Sequence, residues 1–279
     1  MTGRTIHVTS RASKERQLSP VADTVSAQLH QSAYYTALAP FRVLFEQGNP
    51  ILTYHKIGPR PTRVRLKGLY VSAALFRQQL TELNAAGFQR GSLSDCSGPL
   101  KPRRIALTFD DGYGNVLQHA VEVLARTPFT AIQFLPVNFL GKSNEWDVAV
   151  GEASEPIMDA SQVRDWLAAG QDIGSHTLTH PFLTRLPPEQ AREEIVASKM
   201  KLEDLFGRPI EHFCYPYGDW NAAVRDCVIE AGYRTACTTD FGINTPETSP
   251  FTLKRITARY RTRSLKALLS RIRQSLLSR

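Results

Sequence analysis

Residues 104–135 read RIALTFDDGYGNVLQHAVEVLARTPFTAIQFL, and their pattern decides the fold. The apolar run Ile105, Ala106 and Leu107 predicts a buried strand over 104–109, the stretch 115–126 reads as a helix, and 129–135 returns to a strand. Two strands joined by a helix form the crossover unit of a parallel sheet. Outward from this unit the rhythm continues in both directions. Upstream, 51–55 reads as a strand and 72–86 as a helix, with Leu75, Phe76, Leu80 and Leu83 on one face, Ser72 as N-cap and Gly87 as stop. Downstream come helix 161–169, strand 172–175 and a long helix that opens with Pro187 and Pro188 and stops at Gly207. Strand 211–215, helix 221–231 and strands 233–238 and 253–257 complete about seven strand–helix units. The alternation predicts an α/β architecture with helices outside a parallel sheet, closed as a barrel or left open.

The 279 residues, 42% of them hydrophobic, are enough for a sizeable core. Three regions are expected. Residues 1–48 hold a polar leader and a short helix pair around Pro40, 49–258 the α/β domain, and 259–279 a basic amphipathic helix. In that last helix Leu265, Leu268, Leu269, Ile272 and Leu276 form a stripe that either caps the domain or touches an anionic membrane surface. A formal charge of +8, from 34 basic and 26 acidic residues, is weak for a nucleic-acid binder, and the basic tail carries no interleaved aromatics. No window is apolar enough to cross a membrane and the first 30 residues lack a secretory apolar core, so a cytoplasmic location is expected. Cys96, Cys214, Cys227 and Cys237 have neither redox-pair nor zinc-site spacing and read as reduced structural thiols. Residues 138–157 break the alternation and read as a lid or a groove rim.

Three polar clusters sit at the C-terminal ends of expected strands, where parallel α/β folds form their ligand sites. Thr108-Phe109-Asp110-Asp111-Gly112 places two carboxylates side by side; their side chains point different ways, so one can hold a metal while the other faces substrate or water. The same letters also suit a plain Asp-Gly turn. Ser175-His176-Thr177-Leu178-Thr179-His180 places two imidazoles four apart, which with one carboxylate make an open three-ligand metal site, or else are two loop histidines. Phe213-Cys214-Tyr215-Pro216-Tyr217-Gly218, followed by Trp220, offers aromatic walls for a sugar groove and a backbone N–H for an oxyanion, or a packed strand-to-helix corner.

In this order the clusters resemble the polysaccharide deacetylases, the NodB-like carbohydrate esterases, over about residues 50–258. The resemblance implies a distorted (β/α)7 barrel, Asp111, His176 and His180 as metal ligands, Asp110 as general base, and Pro216, Tyr217 and Gly218 lining the site, where the aromatic reading adds Tyr215 and Trp220 against the substrate. Zinc is the first expectation for the metal, with iron, cobalt, nickel or manganese also compatible with two histidines and a carboxylate. Two departures stand out. Cys214 occupies the position where better-known members carry an arginine that orients the base, and no histidine follows His212 to serve as the late general acid. His55, in Thr53-Tyr54-His55-Lys56, offers itself as an early acid, as in the circularly permuted poly-N-acetylglucosamine deacetylase branch, and Arg255 as the replacement arginine, counted among the substrate-site residues. The expected reaction is metal-dependent removal of an N-acetyl or O-acetyl group from an oligo- or polysaccharide or a nucleotide- or lipid-linked sugar. Another amide hydrolysis and a silent carbohydrate-binding module are the alternatives.

Overall fold

A computed structural model describes residues 34–62 and 64–259. Seven parallel strands form its centre: β1 (Ile51–Tyr54), β2 (Arg104–Phe109), β3 (Ala131–Leu135), β4 (Asp172–Ser175), β5 (His212–Cys214), β6 (Thr235–Phe241) and β7 (Leu253–Thr257). Each pairs with the next in sequence, and β1 pairs with both β2 and β7, so the sheet closes into a barrel. The closure is uneven: β1 meets β2 at four paired positions, whereas β4 and β5 share only Ser175 with Phe213. This is the (β/α)7 barrel implied by the resemblance.

Helices α1 (Ala73–Ala85), α2 (Gly114–Ala125), α3 (Ala160–Ala168), α4 (Pro188–Phe206) and α5 (Ala222–Glu230) lie between the strands in sequence. Their ends follow local chemistry. Ser72 accepts the Leu75 N–H at 3.2 Å, Asp159 and Gln162 form a reciprocal capping box, and Asn221 accepts the Val224 N–H. Gly207, at φ 63°, takes the left-handed position that ends α4 at little steric cost.

Because both faces of the strands are covered, the strands read as nearly continuous apolar runs. Alternate residues serve two cores. Ile51, Ala106, Phe134, Cys214, Cys237 and Leu253 cluster together, while neighbours such as Leu52, Leu107, Phe213 and Ile256 join the larger core with the helices. The short helix Arg42–Phe45 and the preceding turn bury Tyr35, Phe41 and Phe45 in that larger core, and Tyr35 bridges to Ala258 beside the closing strand. The expected polar leader and the helix expected over 259–279 fall almost entirely outside the described residues. Among the described residues no helix is long and apolar enough to cross a membrane.

Candidate active site

The parallel register assembles the site. β1 and β2 pair Thr53 with Thr108 and Tyr54 with Phe109, so the residues that follow, His55 and Asp110, emerge side by side at the barrel's C-terminal end. β4 and β5 pair Ser175 with Phe213, which sets His176 beside Cys214. At these strand ends the backbone turns sharply. Asp111, Thr177, His180 and Tyr217 all have positive φ, between 59° and 74°, although none is glycine. Each such residue costs on the order of 1–3 kcal/mol, and four of them converge here because packing around the barrel mouth over-determines their conformation.

Part of that packing is visible around the histidine loop. The His180 N–H donates to Thr177 Oγ1 at 2.9 Å, and Glu194 of α4 accepts from the N–H groups of Leu178 and Thr179 at 2.8 and 2.9 Å. Glu194 looks in the sequence like a charge placed for the helix dipole; in the structure it fastens the loop that carries His180. No local pattern marks this role, because its partners lie 16 and 15 residues away on a different element.

Asp111 Oδ1 lies 3.3 Å from His176 Nε2 and 3.3 Å from His180 Nε2, and all three side chains are buried. Three donors bonded to one ion at about 2.0–2.1 Å in tetrahedral geometry stand about 3.3 Å apart, so the spacing fits a zinc-class cation. The imidazole of His176 is oriented for the purpose, since its Nδ1 bonds the Cys214 carbonyl at 2.7 Å and Nε2 is left to face Asp111. Burial pushes the Asp111 carboxyl up, but the hydrogen bonds from both histidines outweigh it and hold the group well below the usual carboxylate range. A second group of donor atoms, from Asp110, His176 and Cys214, also lies close together. It does not suit a metal: the Arg255 guanidinium already occupies Asp110 and Cys214, and burial pushes the Cys214 thiol up to about 11, so it stays neutral. His176→Ala and His180→Ala are each expected to reduce the bound metal of purified protein to background, read by elemental analysis after gel filtration.

Asp110 is gripped from below. Arg255 Nη1 and Nη2 donate to its two oxygens at 2.8 Å each, and the remaining guanidinium N–H groups reach the Thr238 carbonyl, Thr53 Oγ1, Thr108 Oγ1 and Cys214 Sγ. The paired geometry fixes both the position and the charge of the carboxylate. Burial raises the Asp110 pKa; the Arg255 charge and hydrogen bonds, helped by His55 and His176, bring it below the ordinary value. Across the opening, His55 Nε2 stands 3.8 Å from Asp110 Oδ2. Burial pushes the imidazole below its usual range, against the pull of Asp111 and Asp110.

These groups line a pocket of about 160 Å³, together with Tyr215, Tyr217, Leu66, Leu69, Trp146, Asp147 and Thr239. Its size suits an acetamido group better than a whole oligosaccharide. Four residues expected against the substrate do not line this pocket. Arg255 is 1% exposed and pairs with Asp110 inside the barrel, the place expected of the replacement arginine, and so does not face the pocket. Pro216 is buried, Gly218 packs its backbone against Thr239, and Trp220 packs behind the wall against Tyr215, at 6.3 Å between ring centroids. Trp146 and Asp147, by contrast, enter from the short helix Glu145–Val148 within the irregular stretch expected to be a lid or rim. Trp146 stacks on His180 at 4.6 Å between centroids.

The sequence profile of the polysaccharide deacetylases matches residues 97–236. A Bacillus subtilis (strain 168) protein named for polysaccharide deacetylation, YxkH, is 27% identical over 213 residues, covering 74% of this chain and 70% of that protein. The crystal structure of a polysaccharide deacetylase from Bacillus cereus superposes with a TM-score of 0.65 at 27% identity, over 82% of this chain and 70% of that one. IcaB from Ammonifex degensii shares the fold, with a TM-score of 0.66 at 21% identity, over 76% of this chain and 91% of that one. With the closed seven-stranded barrel, the paired aspartates and the two converging histidines, these likenesses show that the chain belongs to the polysaccharide deacetylase family.

Proposed function

We propose that the protein removes the acetyl group from an N-acetylated hexosamine unit of an oligo- or polysaccharide in a metal-dependent hydrolysis. The observation that carries this reading is the meeting, in one pocket, of a three-donor face at Asp111, His176 and His180 with a carboxylate held ionised by Arg255 and an imidazole opposite it. Asp111, His176 and His180 would hold a divalent ion, which would supply Lewis acidity to lower the pKa of water and polarise the acyl oxygen. Asp110, ionised and fixed by Arg255, takes the proton of the attacking water. His55 delivers a proton to the departing nitrogen; burial makes its protonated form a stronger acid than an ordinary imidazolium and so a readier donor. The backbone N–H at Tyr217 helps to hold the developing oxyanion, and Tyr217 itself, stacked on Phe182 at 3.9 Å, forms the pocket's aromatic edge.

The full engagement of Arg255 with Asp110 favours an enzyme over a silent binding module, since a groove that only binds sugar gains nothing from a buried, charge-paired base. Acetate release from N-acetylglucosamine oligomers, measured beside a nucleotide-linked N-acetylhexosamine, tests the reading. The oligomers are expected to be turned over; activity confined to the nucleotide-linked sugar would make the protein a precursor deacetylase, and acetate release from neither would reject the reaction. In the same assay His55→Ala is expected to lower kcat by about 10²–10⁴-fold with bound metal retained. Unchanged turnover in that variant would remove His55 from the acid role.

A further inference from the structure

We propose that Asp147 is a specificity-determining residue that accepts a hydrogen bond from a hydroxyl group of the sugar being deacetylated, an inference that rests on the function proposed above. The pocket holds three carboxylates, and the chemistry uses two: Asp110 is paired with Arg255 and serves as the base, and Asp111 faces His176 and His180. Asp147 lines the same pocket, is 6% exposed, and belongs to neither group of potential metal donors.

Its position is firmly built. The Asp147 N–H donates to the Asn144 carbonyl at 2.9 Å, its own carbonyl accepts the Glu152 N–H at 3.1 Å, and the Tyr113 hydroxyl donates to Oδ2 at 3.3 Å. Glu152 ties this segment to the barrel. Its Oε1 lies 3.9 Å from Lys56 Nζ with both side chains fully buried, and its Oε2 accepts the Leu66 N–H at 2.6 Å. A carboxylate held on a pinned segment is preorganised for a ligand, and buried ion pairs of this kind serve placement better than stability.

The carboxylate also has capacity to spare. An ionised carboxylate offers about four acceptor sites, and the donors that reach it are the Tyr113 hydroxyl and the Asn144 side chain. Burial and the neighbouring Asp111 raise its pKa, against the pull of Lys56, His180 and the Asn144 hydrogen bond. The surroundings define the ligand. Trp146, the adjacent residue, presents an aromatic ring at the pocket wall, and Leu66, Leu69 and Tyr217 add apolar surface. A sugar ring matches this pairing, with C–H groups for the aromatic wall and hydroxyl donors for an acceptor-only group. The acetyl group alone offers no O–H donor.

The test compares Asp147→Asn with the unaltered protein on an N-acetylglucosamine oligomer, on its monodeoxy analogues, and on an aryl acetate, which carries an acetyl group and no sugar hydroxyl. Asp147→Asn is expected to lower kcat/KM on the oligomer by about 10- to 100-fold, the range for a lost hydrogen bond to a charged group, and on the aryl acetate by less than a tenth of that factor. One deoxy analogue is expected to be equally poor for both proteins, which identifies the hydroxyl read. Asp147→Glu, which keeps the charge and moves it by one methylene, is expected to show the same selective loss and guards against misfolding of the first variant. Equal losses on oligomer and ester in both variants, or no loss on the oligomer, would overturn the inference. If the unaltered protein cleaves the ester and no N-acetylated sugar, the proposed substrate class fails first, and this role fails with it.

Discussion

Asp110→Asn is expected to lower the kcat for acetate release by about 10²–10⁴-fold while the protein still binds its metal, the loss typical of a general base. The substitution keeps the shape of the side chain and removes its ability to accept a proton. Asp111, His176 and His180 are untouched by it, so metal content measured on the same preparation separates a chemical defect from a lost cofactor. The Arg255 cation loses its counter-charge, so a lowered Tm is expected, with the fold kept by Thr53, Thr108 and the Thr238 carbonyl, which still accept from the guanidinium. Full activity in this variant would show that the proton is taken elsewhere.

Arg255→Met should damage both stability and turnover. Asp110 would keep its burial and lose its counter-charge, and breaking a buried pair by removing one partner costs about 3–5 kcal/mol. For a chain of this size that lowers Tm on the order of 10 °C, readable by calorimetry. The effect on the base has a definite sign. With the guanidinium gone, burial is left as the main influence on the carboxyl and raises its pKa. Asp110 must be ionised to act, so the acid limb of the kcat/KM profile is expected to move to higher pH. A purely structural arginine would lower Tm and leave that limb in place. Introducing an arginine at the neighbouring wall, as Cys214→Arg in the Arg255→Met background, should recover part of the turnover, since Cys214 Sγ lies 3.1 Å from the guanidinium it would replace. No recovery together with an unmoved acid limb would assign Arg255 to the fold alone.

The barrel was legible because its strands are short, nearly all-apolar runs and its helices carry clear stops such as Gly207 and caps such as Ser72 and Asn221. The clusters at the strand ends were legible for the same reason: Asp110 and Asp111, His176 and His180 interrupt runs that pattern alone marks as strands. Their meeting depends on register, and the pairing of Tyr54 with Phe109 that sets His55 next to Asp110 cannot be read from either strand by itself. The grip of Arg255 on Asp110 spans 145 residues and crosses the barrel interior. The sequence offered Arg255 as the replacement for the arginine missing at position 214, and the structure sets it on Asp110; its place among the substrate-site residues is what the barrel interior excludes. Trp146 and Asp147 lie in a stretch without periodicity, so nothing local marked Asp147 as a pocket residue. Tyr217, at φ 59°, lines the pocket, whereas Pro216, Gly218 and Trp220, expected against the substrate beside it, do not.

The central claim is that the three-donor face and Asp110 act together on an acetylated sugar, and its most direct measurement is acetate release from an N-acetylglucosamine oligomer by chelator-stripped protein before and after a divalent ion is restored. The account predicts no release from stripped protein and recovery on adding zinc or a similar ion, with no recovery in His176→Ala. Acetate release that is indifferent to stripping, or that survives in His176→Ala, would contradict it.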